Sequence, residues 1–164
     1  MDPTDRDTIA TLNDLIATCK DGVHGFRTAA NAVENPAVKT LFTSRVTSIE
    51  AAASDLQAAV RRLGGDPADS GHAAASLHRG WINMKAALAG QDEREIIQEA
   101  VRGEKTAVAH YRDALQTTLP DPIRGLVERQ LQGAQQNLVA VSAVLTGAAS
   151  PPGARAASSF DVRP

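Results

Sequence analysis

The feature that most constrains the fold is an apolar pattern that steps along the first part of the chain by three and four residues without a break. The positions that carry it are Ile9, Leu12, Ile16, Cys19, Val23, Phe26, Ala30 and Val33. A 3–4 alternation places all its members on one side of an α-helix, as in a helix bundle. The pattern predicts a first helix from about Asp5 to Glu34, which Asn35 and Pro36 end.

Three further segments repeat this pattern. The second begins at Pro36 and ends before Gly64. The third is predicted from about Glu93 to Thr118, and the last, which follows a proline-rich turn, ends at Leu145. The long connection between the second and third segments carries a shorter predicted helix, from about His72 to Ala89.

The segments group into two similar pairs, because residues 38–45 resemble residues 123–130 and both follow a proline turn. Two antiparallel helix pairs joined by one long crossover form the ferritin-like arrangement. We therefore predict an all-α, ferritin-like four-helix bundle of two antiparallel hairpins, with a shorter extra helix in the crossover. A simple up-and-down bundle of five helices is the alternative. The bundle is expected to span residues 1–147, and residues 148–164, rich in Ala, Ser, Pro and Gly, are expected to be a disordered tail.

Composition excludes several classes of function. The net charge is −2 and aromatic residues make up only 3% of the chain, which argues against binding to nucleic acid. No run of about 18 apolar residues is present, so no membrane span is expected. The single cysteine excludes an internal disulfide bond. We expect a cytoplasmic protein that binds neither nucleic acid nor membrane.

The first helix carries two interior glycines, Gly22 and Gly25, although each costs about 1 kcal/mol relative to alanine. They belong to a second stripe of small residues, namely Thr18, Gly22, Gly25, Ala29 and Ala32. Such a stripe lets another element approach the backbone closely. Trp81 of the crossover helix is the expected occupant, and a simple kink at the glycines is the alternative.

Glu104 is a charged residue on an otherwise apolar stripe that includes Val101 and Val108. A carboxylate there requires a cation, a metal or several hydrogen-bond donors. Arg45 lies on the core-facing stripe of the second helix, so one hypothesis is a structural Glu104–Arg45 ion pair. The others are metal binding by Glu104 and a partly exposed position. Tyr111 shares this face and is a candidate hydrogen-bond donor to the carboxylate.

Other polar residues extend these hypotheses. A transition metal such as Fe, Mn or Zn would be held by Glu104 and Tyr111, with Glu50 or His78 as further ligands. Asp21 and His24 are spaced to reach one ligand from a single helix face, although they lie away from the core-facing stripe. Arg79 is a candidate ion-pair partner for Asp21 that would join the crossover helix to the first helix.

An ordinary di-iron centre is not expected. Ferritin-like oxidases use paired Glu-x-x-His motifs. Here Ala53 stands three residues after Glu50, and Ala107 stands three residues after Glu104. The sequence also lacks local signals for a catalytic Ser-His-Asp or Cys-His set and for a phosphate-binding glycine loop.

Several short motifs together resemble one family. They are Leu12-Asn-Asp-Leu15, Asp21-Gly22, Gly25-Phe26, Gly64-Gly-Asp-Pro67, Leu77-His-Arg-Gly-Trp81, Arg102-Gly-Glu104, Tyr111 and the region from Gln130 to Asn137. With these motifs, residues 12–145 resemble the ferritin-like bundle family known as DUF2383. The resemblance implies a compact helical bundle with ferritin-like connectivity, from bacteria, with no established biochemical activity.

These observations favour a soluble, non-enzymatic ferritin-like bundle that self-associates and acts as a binding or stress-associated module. The alternative is a metal-binding or oxidoreductase protein with an atypical carboxylate site around Glu104. A protein partner bound through the tail after Gly147 is a third hypothesis.

Overall fold

A computed structural model describes residues 3–68 and 92–147, and these residues form four α-helices. They are α1 (Pro3–Ala32), α2 (Pro36–Arg62), α3 (Glu93–Gln116) and α4 (Asp121–Leu145). Their bounds agree with the predicted ones to within about two residues, the range over which helix ends are commonly uncertain. The predicted crossover helix and the predicted tail lie outside the described residues.

The two hairpins are joined in the ferritin-like manner. The chain leaves α2 beside the start of α1, where Asn13 donates a hydrogen bond to the carbonyl of Asp66 at 3.2 Å. It enters α3 at the other end of α1, where the Glu93 carboxylate accepts hydrogen bonds from the backbone N–H of Glu34 and of Asn35 at 3.0 and 2.9 Å. Because α2 ends and α3 begins at opposite ends of the bundle, α2 and α3 run in the same direction. This topology confirms the ferritin-like prediction.

Local capping fixes where two of the helices begin. The Asn35 side chain accepts a hydrogen bond from the backbone N–H of Ala37 at 2.9 Å, and Pro36 occupies the first turn of α2. Asp92 accepts from the backbone N–H of Glu95 at 2.9 Å and caps α3. Helix α2 ends at Arg62, and Gly64 follows the C-cap residue Leu63 with a φ of +75°, which lies in the left-handed region that glycine adopts without strain.

The core lies between the four helices and is mainly aliphatic. Phe26 of α1 and Phe42 of α2 meet edge to face, with ring centroids 5.4 Å apart. Helix α4 contributes Val127, Ala134 and Val141, which are spaced by seven residues and are fully buried. Helix α1 packs against α2 and α3, and α4 packs against α3 and, over a shorter contact, against α2. Within residues 3–68 and 92–147, no helix combines the length and the hydropathy that a bilayer crossing requires.

Candidate functional site

A layer of polar side chains interrupts the apolar core, and each of the four helices contributes to it. Its members, which we call the central polar layer, are Cys19 from α1, Arg45 from α2, Glu104 and Tyr111 from α3, and Gln130 from α4. All five also line one cavity. In ferritin-like metal proteins, this is the part of the bundle from which inward-facing ligands bind the metals.

Arg45 and Glu104 form a two-point ion pair across the bundle. Arg45 Nε lies 2.6 Å from Glu104 Oε1, and Arg45 Nη2 lies 3.1 Å from Glu104 Oε2. The Glu104 side chain is 1% exposed and that of Arg45 is 12% exposed. The ion pair predicted from the sequence is therefore present. Because both carboxylate oxygens accept from one planar guanidinium, the geometry is that of the strongest class of charge-assisted pair.

Tyr111 bonds to α4 and not to the carboxylate that the sequence suggested. Its hydroxyl donates to Gln130 Oε1 at 2.9 Å, and Gln130 Nε2 donates to the carbonyl of Ala52 at 3.1 Å. The hydroxyl has only one proton, so at the 3.4 Å contact with Cys19 Sγ the thiol is the donor. This chain of hydrogen bonds joins all four helices.

The thiol and the phenol in this layer are held in their protonated forms. Burial raises the pKa of the Cys19 thiol above its usual value, and the effect outweighs the positive charge of Arg45, which lowers it. Burial is also the main cause that raises the pKa of the Tyr111 phenol. Neither group is therefore a ready anionic ligand or nucleophile at neutral pH.

The central polar layer does not fit a resident metal. Among its five side chains only Glu104 is a carboxylate, and Arg45 already binds both of its oxygens. A divalent ion placed there would meet a net ligand charge of zero, since the guanidinium cancels the carboxylate and the other members are neutral. Within the described residues, no group of three or more His, Cys, Asp or Glu side chains is placed to hold a metal ion.

A cavity of about 210 Å³ adjoins the polar layer, between α1 and α3 with α2 behind them. Its walls are formed mainly by small residues on two facing helices. They are Thr18, Gly22, Gly25 and Ala29 of α1, and Ala100, Gly103 and Ala107 of α3. Four of the five residues of the small-residue stripe noted in the sequence, all except Ala32, therefore line this cavity.

Gly22 also contacts α2. A Cβ atom at Gly22 would lie 3.1 Å from Ile49 Cδ1, which is a tight contact. The close approach predicted for the stripe is thus present at Gly22, and among the described residues its neighbour is Ile49. The predicted contact with Trp81 lies outside the described residues.

The rim of the cavity carries Thr18, His110 and Asp21. Thr18 donates to the carbonyl of Asp14 at 3.0 Å and lies 2.8 Å from His110 Nδ1. We assign the proton of the neutral His110 ring to Nδ1, because this tautomer satisfies both contacts: Thr18 donates to Asp14 and accepts from His110. In the neutral ring, Nε2 is then left as an acceptor. Partial burial raises the pKa of the Asp21 carboxyl, and the nearby His24 and His110 lower it to a smaller extent.

Glu50, a predicted metal ligand, is not part of this site. It is exposed and forms an ion pair with Arg27, with Arg27 Nη2 2.7 Å from Glu50 Oε1. The physical reason is that Glu50 directly follows the core-facing Ile49, so helix geometry turns its side chain outward. His24 is also exposed. His78 and Arg79 lie outside the described residues.

Sequence reasoning missed the site roles of Cys19, Gln130 and His110. The sequence assigns Cys19 only to the core-facing stripe, and Gln130 only to a region that carries the family resemblance. The sequence pattern indicates no role for His110. All three lie near the middle of long helices, and this was the one signal in the sequence that they could meet. Which of them do meet depends on the axial register between the helices, which the sequence does not give.

The fold and sequence have known counterparts. A solved structure of a two-domain protein containing DJ-1/ThiJ/PfpI-like and ferritin-like domains, from Anabaena variabilis ATCC 29413, matches with a TM-score of 0.75 and 15% sequence identity. The match covers 88% of this chain and 40% of that chain, so this chain spans well under half of its length. At this identity the likeness shows the fold alone. No curated protein matches the chain.

The sequence comparison identifies the family. The domain of unknown function DUF2383 matches residues 7–117, a range that contains most of α1, all of α2 and α3, and all members of the central polar layer except Gln130. This range is more than half of the chain. The chain therefore belongs to the DUF2383 family.

Proposed function

We propose that this protein is a non-enzymatic ferritin-like bundle that acts as a binding module. In this proposal the central polar layer is structural and the adjoining cavity receives a small ligand. The observation that carries it is the two-point Arg45–Glu104 pair, which places a guanidinium on both oxygens of the buried carboxylate. A protein cation thus occupies the position that a metal ion would need.

The cavity supports a binding role over a purely structural one. Its wall includes three helix-interior glycines, Gly22, Gly25 and Gly103, each of which lowers helix stability relative to alanine. A Cβ atom at Gly103 would have no described side chain within 4 Å, so packing does not explain this glycine. Open space beside it is consistent with a ligand that approaches the α3 backbone.

Metal analysis tests the non-enzymatic part of the proposal. The purified protein is incubated with Fe²⁺, Mn²⁺ or Zn²⁺ and desalted, and its bound metal is then quantified by elemental mass spectrometry. We expect no stoichiometric metal in the wild-type protein and no oxidation of Fe²⁺ beyond the buffer rate. Stoichiometric metal that is lost in Glu104→Ala would contradict the proposal and favour the metal-binding alternative.

A double variant serves as the control, because Glu104→Ala leaves Arg45 buried without a partner and so weakens the fold itself. Arg45→Met/Glu104→Met removes both charges, and such replacements of buried pairs are often neutral or stabilising. Metal bound by the wild type and lost in this folded double variant would also contradict the proposal.

Self-association, a cytoplasmic location and a protein partner for residues 148–164 are further parts of the proposal. Light scattering on the purified protein measures the mass in solution and tests self-association. Deletion of residues 148–164, followed by capture of partners with the full chain and the shortened chain, tests the tail. We expect an oligomer in the first measurement and loss of any captured partner in the second.

A further inference from the structure

The charges on the cavity wall are not balanced. The charged side chains that line it are Asp21, Arg45, Glu99 and Glu104, together with His110 when that ring is protonated. Arg45 and Glu104 neutralise each other, and Arg102 Nη2 lies 2.6 Å from Glu99 Oε1. Within the part of the chain that the structure describes, no ion pair includes Asp21. With neutral His110, the uncompensated charge of the wall is the negative charge of Asp21.

The groups near Asp21 also favour a ligand that donates hydrogen bonds. In the neutral ring, His110 Nε2 is an acceptor because Nδ1 donates to Thr18. A carboxylate and an imidazole nitrogen at one rim suit a ligand that donates hydrogen bonds and carries positive charge. The Asp21 side chain remains exposed at this rim, so a cation can reach it directly from solvent.

The remainder of the cavity suits a short apolar body. Small side chains and glycines form the facing walls on α1 and α3, and the rings of Phe26 and Tyr111 lie deeper in the lining. The volume of about 210 Å³ is below the range of about 300 to 1,000 Å³ found for sites that hold drug-sized molecules. The ligand must therefore be small.

We propose that the cavity binds a small organic cation, an amine with a short alkyl body, whose ammonium group lies at Asp21 and His110 and whose body lies between Gly22 and Gly103. This inference rests on the proposed binding function and names the chemical class of its ligand. Charge complementarity selects the amine over an alcohol or a carboxylate of the same length.

Three probes that share one alkyl chain test this assignment, namely pentylammonium, 1-pentanol and pentanoate. Each is titrated into isotope-labelled protein while the backbone amide signals of Gly22 and Gly103 are followed by NMR. We expect pentylammonium to bind roughly fivefold more tightly than pentanol. This ratio corresponds to the upper end of the free energies measured for solvent-exposed ion pairs. Pentanoate should bind most weakly.

Matched variants locate the effect. Asp21→Asn should remove the preference for the cation, whereas Asp14→Asn, an exposed carboxylate of the same helix outside the cavity lining, should leave it unchanged. Gly103→Leu should fill the cavity and abolish the shifts, whereas Gly133→Leu on α4 should not. Shifts that persist in Gly103→Leu would place the probe elsewhere and overturn the inference.

The outcomes separate this inference from the function on which it rests. If pentanol binds as tightly as pentylammonium, or if Asp21→Asn keeps the preference, the cation assignment is wrong while the cavity remains a binding site. If none of the three probes shifts the cavity amides at millimolar concentration, both the cation assignment and the proposed binding of a small ligand are wrong.

Discussion

The guanidinium of Arg45 holds both carboxylate oxygens of Glu104 from the opposite corner of the bundle, with Nε 2.6 Å from Oε1 and Nη2 3.1 Å from Oε2. Helices α2 and α3 are not neighbours in the bundle, so the pair spans its centre. Its two charges are both largely removed from water. Because Arg45 occupies both oxygens of Glu104, the pair determines whether this carboxylate can bind another cation in the core.

Removing one member of this pair should be far more costly than removing both. We expect Glu104→Ala to lower the free energy of unfolding by about 3 to 5 kcal/mol, because Arg45 is then a buried charge without a partner. Arg45→Met/Glu104→Met should lie close to the wild type. Urea unfolding followed by circular dichroism measures both variants. A single variant that is as stable as the double variant would show that the pair is solvated and not buried.

Gly22 and Ile49 should be energetically coupled. Gly22→Ala gains helix propensity of about 1 kcal/mol but brings a Cβ atom to 3.1 Å from Ile49 Cδ1. Ile49→Val removes that methyl group, so Gly22→Ala should be more favourable in the Ile49→Val background than in the wild type. A double-mutant cycle of unfolding free energies measures the difference. Additive effects would indicate that the two residues do not touch in solution.

Gly22→Leu should destabilise the fold by about 1 to 3 kcal/mol, because the larger side chain overpacks the contact with α2. Thermal unfolding measures the effect, with Ala10→Leu at an exposed position of α1 as the control. The same midpoint in both variants would contradict the close packing of Gly22.

Gly103→Ala should stabilise the protein by up to about 1 kcal/mol, since no described side chain lies within 4 Å of the added Cβ atom. Gly133→Ala on α4 has equally open surroundings and should give a similar gain. The comparison by urea unfolding shows whether the cavity wall behaves as an ordinary helix surface. A loss of stability at Gly103 alone would mean that the apparent space is filled in solution.

Stability should fall as the solution becomes alkaline. The pKa of the Cys19 thiol is raised from 9.0 and that of the Tyr111 phenol from 10.0, so the folded state keeps these protons after the unfolded chain has lost them. The stabilisation is fully present below about pH 9 and is lost as the pH rises, by up to about 1.4 kcal/mol per pH unit for each group. Unfolding free energies between about pH 8 and pH 10.5 measure the slope, which should be smaller in Cys19→Ala. Equal slopes for the two proteins would contradict the burial of the thiol.

Much of the fold could be predicted because it depends on periodicity within single helices. The apolar stripes and the signals at Asn35, Pro36, Gly64 and Asp92 fix the helix bounds without knowledge of the neighbours. The choice between ferritin-like and up-and-down connectivity followed from the length of the connection and from the similarity of the two hairpins.

The candidate site was predicted only in part, for a physical reason. Arg45 and Glu104 each interrupt an apolar stripe, so each needed a partner in the core, and opposite charges suggested the pair. Tyr111 was different, because a hydroxyl can form hydrogen bonds with many kinds of group. That it bonds to Gln130 depends on the axial register of α4 against α3. Sequence spacing within a helix carries no information about that register.

The Glu93 carboxylate binds the backbone amides of Glu34 and Asn35 in the turn between α1 and α2. As the chain leaves the ribosome, those amides emerge long before Glu93 does, and until then only water can satisfy them. The turn of the first hairpin therefore gains these two hydrogen bonds only after the start of α3 has been synthesised. Slow hydrogen exchange at these two amides would report the moment at which the hairpins dock.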